Sequence, residues 1–199
     1  MAGVARATPG ILVFGDSLSA AYGLAQARGW VALLGERLKR ERLDYNVVNA
    51  SISGETTRGG RSRLRQALEQ HRPAVVIIEL GGNDGLRGLP VTEIKENLAA
   101  MIDAAQQAGA RVLLVGMRMP PNYGPDYTQA FGRVFPEVAR RKRVALVPFI
   151  MKGIADRPDL FQDDRIHPTA EAQPILLDNV WAVLGPLLQR TKIPSGNAS

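Results

Sequence analysis

Cysteine is absent from the 199 residues, which removes any disulfide framework and any thiolate metal site and leaves the redox compartment open. Histidine is almost as scarce. There are two, so imidazole chemistry must rest on His71 or His167. Aromatic residues make up 6% of the chain and are rarely interleaved with the basic clusters, which argues against stacking on nucleic-acid bases. No apolar run approaches a membrane span. Ala5-Arg6-Ala7 has the small-x-small form of a signal cleavage site, yet no hydrophobic segment precedes it, so the chain as given reads as soluble and without an export signal.

What is present is a mixed, moderately basic composition. The formal charge is +6, with Lys and Arg gathered in Glu36 to Arg42, Arg58 to Arg65 and Arg140 to Arg143. Each cluster falls on or beside a predicted helix, where such residues coat the solvent face, so no nucleic-acid partner is expected. With 45% apolar residues the chain can bury one sizeable core, and one domain over 1–199 is the natural count, with tails at 1–9 and 191–199.

Helical and strand-like stretches alternate from end to end, which argues for an α/β fold around a mostly parallel sheet. Ile11 to Phe14 read as a buried strand, Tyr45 to Ala50 as a second, Ala74 to Leu80 as the central one, Arg111 to Gly116 as a fourth and Val144 to Val147 as a fifth, near an edge. Helices are expected from Trp30 through Arg42, after Thr56 or Thr57 with Leu64 and Leu68 inward, and over Val91 to Gln107. Two more follow: one after Pro125, broken or kinked near Pro136, and one over Thr169 to Arg190, interrupted by Pro174 and Pro186. Met151 to Ile166 reads as irregular.

The first strand stops in Gly15-Asp16-Ser17-Leu18-Ser19, which delivers Ser17 at the carboxyl edge of the sheet, where open α/β sheets bind ligands. Asp-Ser is also a good helix N-cap pair, so a turn without chemistry is the plain alternative. Gly54 and Asn83 follow the second and third strands and emerge at the same edge. His71 closes a helix, where a histidine serves the dipole and nothing more. His167 lies three residues after Asp164, close enough for the carboxylate to accept from Nδ1–H and leave Nε2 free to take a proton from a serine hydroxyl. The alternative there is an acidic helix start with an exposed histidine.

With Gly15-Asp16-Ser17-Leu18-Ser19, the Gly54 loop, Gly81-Gly82-Asn83-Asp84 and Asp164-Arg165-Ile166-His167 in order, the chain resembles the SGNH (GDSL-type) hydrolases. Within that family it is similar to the bacterial acyl-CoA thioesterase I group, also described as lysophospholipases, proteases and arylesterases. Asn49 to Gly54, Gly85 to Gly88, Pro121 to Gly124 and Gln162 to Pro174 carry that closer likeness, and the resemblance spans roughly Ile11 to Leu188. It implies a three-layer α/β/α sandwich with a five-stranded parallel sheet in the flavodoxin-like order 2-1-3-4-5. It implies Ser17 as nucleophile, His167 as general base and then acid, and Asp164 as its orienting partner. The oxyanion hole would be the Ser17 and Gly54 backbone N–H groups with the Asn83 side chain, glycine being suited there because it lacks a Cβ to obstruct the approaching tetrahedral centre. Asp16 and Asp84 read as loop hydrogen-bonders without a direct chemical role.

The expected reaction is acyl transfer to water from carboxylic esters and thioesters through a seryl ester, with no cofactor, on a small-molecule substrate, by a monomer. The resemblance implies a periplasmic location. Leu86, Leu89, Met117, Met119, Phe149, Ile154 and Phe161, with Ile150 and Met151 beside them, are candidates for an acyl pocket, and Gly85 to Pro90 for a moving lid. Two rivals stand. One is a carbohydrate acetylesterase of the same family; the other is a metal-dependent hydrolase using Asp163, Asp164 and His167 near Asp16.

Overall fold

A computed structural model describes residues 8–189, so Ala5-Arg6-Ala7 and nearly all of both expected tails lie outside the described residues. Five strands, β1 Gly10–Gly15, β2 Asn46–Asn49, β3 Val75–Glu79, β4 Arg111–Val115 and β5 Ala145–Val147, form one sheet. Every pairing is parallel and the order is β2-β1-β3-β4-β5, which is the expected topology. Parallel strands need crossover helices on both faces, and a strand covered on both sides reads as continuous apolar sequence. That is why Ile11-Leu12-Val13-Phe14 and Val75 to Ile78 are fully buried at the centre.

The crossovers are α1 Trp30–Arg40, α2 Thr57–His71, α4 Val91–Gln107 and α5 Pro125–Lys142, and α6 Gln173–Gln189 packs back on α1. Thr56 caps α2, its hydroxyl accepting from the Gly59 N–H at 3.3 Å. The helices run on where breaks were expected. α5 is not broken at Pro136, because Phe131, Val134, Phe135 and Val138 bury the same stripe before and after it and outweigh one missing backbone bond, and Pro186 likewise lies inside an uninterrupted α6. Pro174 starts α6 rather than interrupting it, since its fixed φ suits the first turn, and a 3-10 turn at Ala170–Ala172 precedes it. Half of the basic-cluster residues make ion pairs: Arg37 with Glu41, Lys39 with Glu36, Arg58 with Glu93, Arg63 with Glu55, Arg65 with Glu69 and Lys142 with Asp103.

A short helix, α3 Gly82–Leu86, had no signature in the sequence, because five residues are too few for helical periodicity to register. It carries Asn83 and Asp84 immediately beyond the central strand.

Candidate active site

At the carboxyl edge of the sheet the loops after β1, β2 and β3 meet the turn that precedes α6. Ser17, buried to 9% exposure, places Oγ 2.8 Å from His167 Nε2. His167 Nδ1 lies 2.6 Å from Asp164 Oδ2. The other carboxylate oxygen, Oδ1, accepts the backbone N–H groups of Ile166 and His167, each at 2.9 Å. The turn therefore locks onto its own first residue, and the i to i+3 spacing that suggested the pair is realised with the ring held edge-on to the acid. Partial desolvation pushes the Asp164 carboxyl up, but these donors outweigh it and bring it down to about 2. Tyr22 lies against the imidazole, with ring centroids 4.4 Å apart, and it is half exposed. Nothing in a loop aromatic signals such a contact at the level of sequence.

Asn83 sits in the first turn of α3 with its Nδ2 donating to Asp16 Oδ2 at 3.1 Å and to the Glu55 carbonyl at 3.0 Å. The Gly54 loop beside it is anchored by Arg63, which pairs with Glu55 at 2.6 Å and donates to the Ala50 carbonyl at 2.8 Å. Arg87 donates to the Gly54 carbonyl. Among the described residues the backbone N–H groups of Ser17 and Gly54 meet no backbone acceptor. A Cβ at Gly54 would meet no protein atom within 4 Å, and a φ of +78° gives a further reason for glycine there.

Asp84 is fully buried and clamps α3 to α2. Its carboxylate accepts from the Thr57 N–H at 2.9 Å and from Thr57 Oγ1 at 2.5 Å, and Asn97 donates to that same hydroxyl at 3.2 Å.

A cleft of about 570 Å³ opens from Ser17, Asn83 and His167. Of the proposed acyl-pocket residues, Leu86, Met117, Met119, Phe149, Phe161 and Met151 line it, together with Pro120 and Pro121. Leu89, Ile150 and Ile154 do not. Ile150 and Ile154 are wholly buried in the core, and Leu89 is half-buried outside the cleft lining, its carbonyl accepting from the Tyr127 hydroxyl at 2.8 Å. With the Tyr123 hydroxyl donating to the Leu86 carbonyl at 3.2 Å, the segment expected to be a lid is latched at both ends by tyrosines from the opposite rim. Another hollow, of about 630 Å³, runs along α1 and β2, but none of Ser17, Asn83 and His167 lines it. Among the described residues no three His, Asp or Glu side chains converge into a metal-ligating group, so Asp163, Asp164 and His167 with Asp16 do not form one.

Known proteins match over the same residues. The sequence profile of the GDSL-like Lipase/Acylhydrolase family matches residues 13–174. The chain is 54% identical to Esterase TesA of Pseudomonas aeruginosa over 178 residues, 89% of each chain. It is 41% identical over 184 residues to the Thioesterase 1/protease 1/lysophospholipase L1 of Escherichia coli, covering 92% of this chain and 87% of that one. The crystal structure of the psychrotrophic esterase EstA from Pseudoalteromonas sp., inhibited by monoethylphosphonate, aligns with a TM-score of 0.86 at 44% identity, over 90% of this chain and 98% of that one.

Proposed function

The chain belongs to the GDSL-like Lipase/Acylhydrolase family, the SGNH hydrolases, and from that premise we propose that it hydrolyses carboxylic esters and thioesters at Ser17 through an acyl-enzyme. The observation that carries this reading is the unbroken relay of Ser17 Oγ, His167 and Asp164 at 2.8 and 2.6 Å. In the first half-reaction His167 Nε2 takes the Ser17 proton as Oγ attacks the acyl carbon. Asp164 keeps the ring in the tautomer with hydrogen on Nδ1 and stabilises the imidazolium that forms. The negative charge that develops on the acyl oxygen is met by the N–H groups of Ser17 and Gly54 and by the Asn83 amide. Collapse expels the alcohol or thiol with the proton from His167. Water then repeats the sequence on the seryl ester, with His167 again the base.

The apolar part of the cleft supports acyl chains as the recognised part of the substrate. Leu86, Met117, Met119, Phe149, Met151 and Phe161 offer flexible thioethers and flat rings, while Arg118, Asp156 and Arg165 add charged side chains to the same lining. The esterase, thioesterase and lysophospholipase names of the relatives fit a pocket that reads the acyl group and tolerates different leaving groups. We take the enzyme to act as a monomer and, as the resemblance in the sequence implies, in the periplasm.

The test is a p-nitrophenyl ester series from acetate to palmitate, with palmitoyl-CoA and acetylated xylan alongside, combined with intact mass after a serine-directed phosphonate. Medium or long acyl chains should be preferred, and one phosphonate should be found on Ser17. Preference for acetylated xylan would move the reading to a carbohydrate esterase, and label elsewhere would remove Ser17 from the mechanism.

A further inference from the structure

Behind the Ser17 loop lies a second pair of carboxyl groups that the mechanism above does not use. Asp16 follows β1, Glu79 ends β3, and the two are 2% and 3% exposed. The parallel register sets Gly15 opposite Glu79. A Cβ on Gly15 would fall 2.7 Å from Ser19 Oγ and 2.8 Å from Glu79 Oε2, so this glycine is what lets the acid lie directly under the serine loop. Among the described residues neither carboxyl has a Lys or Arg within ion-pair distance. Two neighbouring carboxylates buried without a cation cannot both be ionised.

The donors around the pair decide where the charge sits. Asp16 Oδ1 accepts the Leu18 N–H at 3.1 Å and Oδ2 accepts Asn83 Nδ2 at 3.1 Å. Glu79 Oε2 accepts the Ser19 hydroxyl at 2.7 Å and meets the Asp16 N–H at 3.4 Å. Asp16 thus has two well-placed amide donors, while Glu79 has one hydroxyl and a long amide contact. The titratable groups facing Asp16 are His167, which favours a charge on it, and Asp84, which opposes one. A second negative charge would also stand behind the site where the oxyanion forms, opposing it.

Resting on the hydrolase reading above, we propose that Asp16 and Glu79 hold one negative charge between them, seated on Asp16, with Glu79 a neutral acid. Asp16 is then a positioning residue that acts through Asn83. Its carboxylate and the Glu55 carbonyl take both hydrogens of the Asn83 amide in the resting enzyme, which fixes which way the amide faces. The nascent oxyanion draws one of those hydrogens away. Burial pushes the Glu79 carboxyl well above the ordinary carboxylate range, with the nearby Asp16 charge adding to it, and burial pushes Asp16 up to about 6.

The test follows side-chain carboxyl carbons of the full-length wild-type protein by ¹³C NMR from about pH 4 to about pH 9, with Glu79→Gln for assignment. One carboxyl, missing from the Glu79→Gln spectrum, should keep the shift of an un-ionised acid at pH 7. Titration of Glu79 together with the exposed glutamates would overturn the charge assignment. In kinetics on p-nitrophenyl butyrate, Asp16→Asn should lower kcat about tenfold or more with KM within about twofold. Glu79→Leu should lose as much as Asp16→Asn, while Glu79→Gln restores most of that loss. An unchanged kcat in Asp16→Asn, or Glu79→Gln as damaged as Glu79→Leu, would overturn the positioning role. If Ser17→Ala stayed active the hydrolase mechanism would fall, whereas the NMR titration would still report on the pair.

Discussion

Asp84→Ala removes the clamp between α3 and α2 without touching any reacting atom. The carboxylate accepts two hydrogen bonds from Thr57, one from the backbone and one from the hydroxyl, and the hydroxyl in turn accepts from Asn97. Hydrogen bonds to a charged group contribute about 1.5–3 kcal/mol each, and truncation leaves two buried donors of Thr57 unsatisfied. Removing the carboxylate also removes its own desolvation cost, which offsets part of the loss. The expected net destabilisation is about 3 kcal/mol. In urea unfolding this lowers the midpoint by about 1 M at an m-value of about 3 kcal/mol/M. Asp84→Asn keeps the shape and one acceptor and should lose about 1 kcal/mol. Because Asn83 is the neighbouring residue on α3, kcat should fall with stability in Asp84→Ala. A midpoint within about 0.2 M of wild type would refute the clamp.

Asn83→Ala should lower kcat on the order of 10²–10³-fold in steady-state ester hydrolysis, with KM little changed, since one oxyanion donor is lost. Gly54→Ala meets no steric obstacle but must hold a φ of +78°, so it should lose about 1 kcal/mol of stability in urea unfolding and slow turnover as the loop relaxes. Protonation effects should run in opposite directions for two acids. The Asp164 carboxyl is held at about 2, so its contribution is present above the ordinary carboxylate range and is lost as pH falls toward 2. Being more than a third exposed, it contributes about 1 kcal/mol or less, read as the flatter acid side of the stability curve of Asp164→Asn. Asp16, raised to about 6, contributes stability below the ordinary range that is lost as pH rises through 6. Asp16→Asn should therefore remove a stability slope between about pH 4 and pH 6.

The sheet was legible because its central strands are buried on both faces, which leaves an apolar run such as Val75 to Ile78 that no surface strand would carry. The α4 boundaries were legible for a different reason: Pro90 stands before the helix and a continuous apolar stripe runs along it. The relay was legible because its parts are local, a serine at a strand end and an Asp-x-x-His turn. What escaped was set by tertiary contact. Glu79 reads as one more residue of a strand until the Gly15 register places it under the serine loop. Leu89 and Ile154 carry the right chemistry for an acyl pocket, but backbone direction and core packing take them elsewhere. Gly54 was singled out for the space its missing Cβ leaves to the substrate, whereas its φ of +78° was not legible, since only backbone angles show that need.

The most direct test of the central claim is turnover of p-nitrophenyl butyrate by Ser17→Ala beside wild type, with the variant's fold checked by circular dichroism. A fall in kcat of about 10⁴-fold or more, with the native spectrum kept, is the expected result. A variant that retains its rate would contradict the account, because no other hydroxyl stands in hydrogen-bond contact with His167 Nε2 among the described residues.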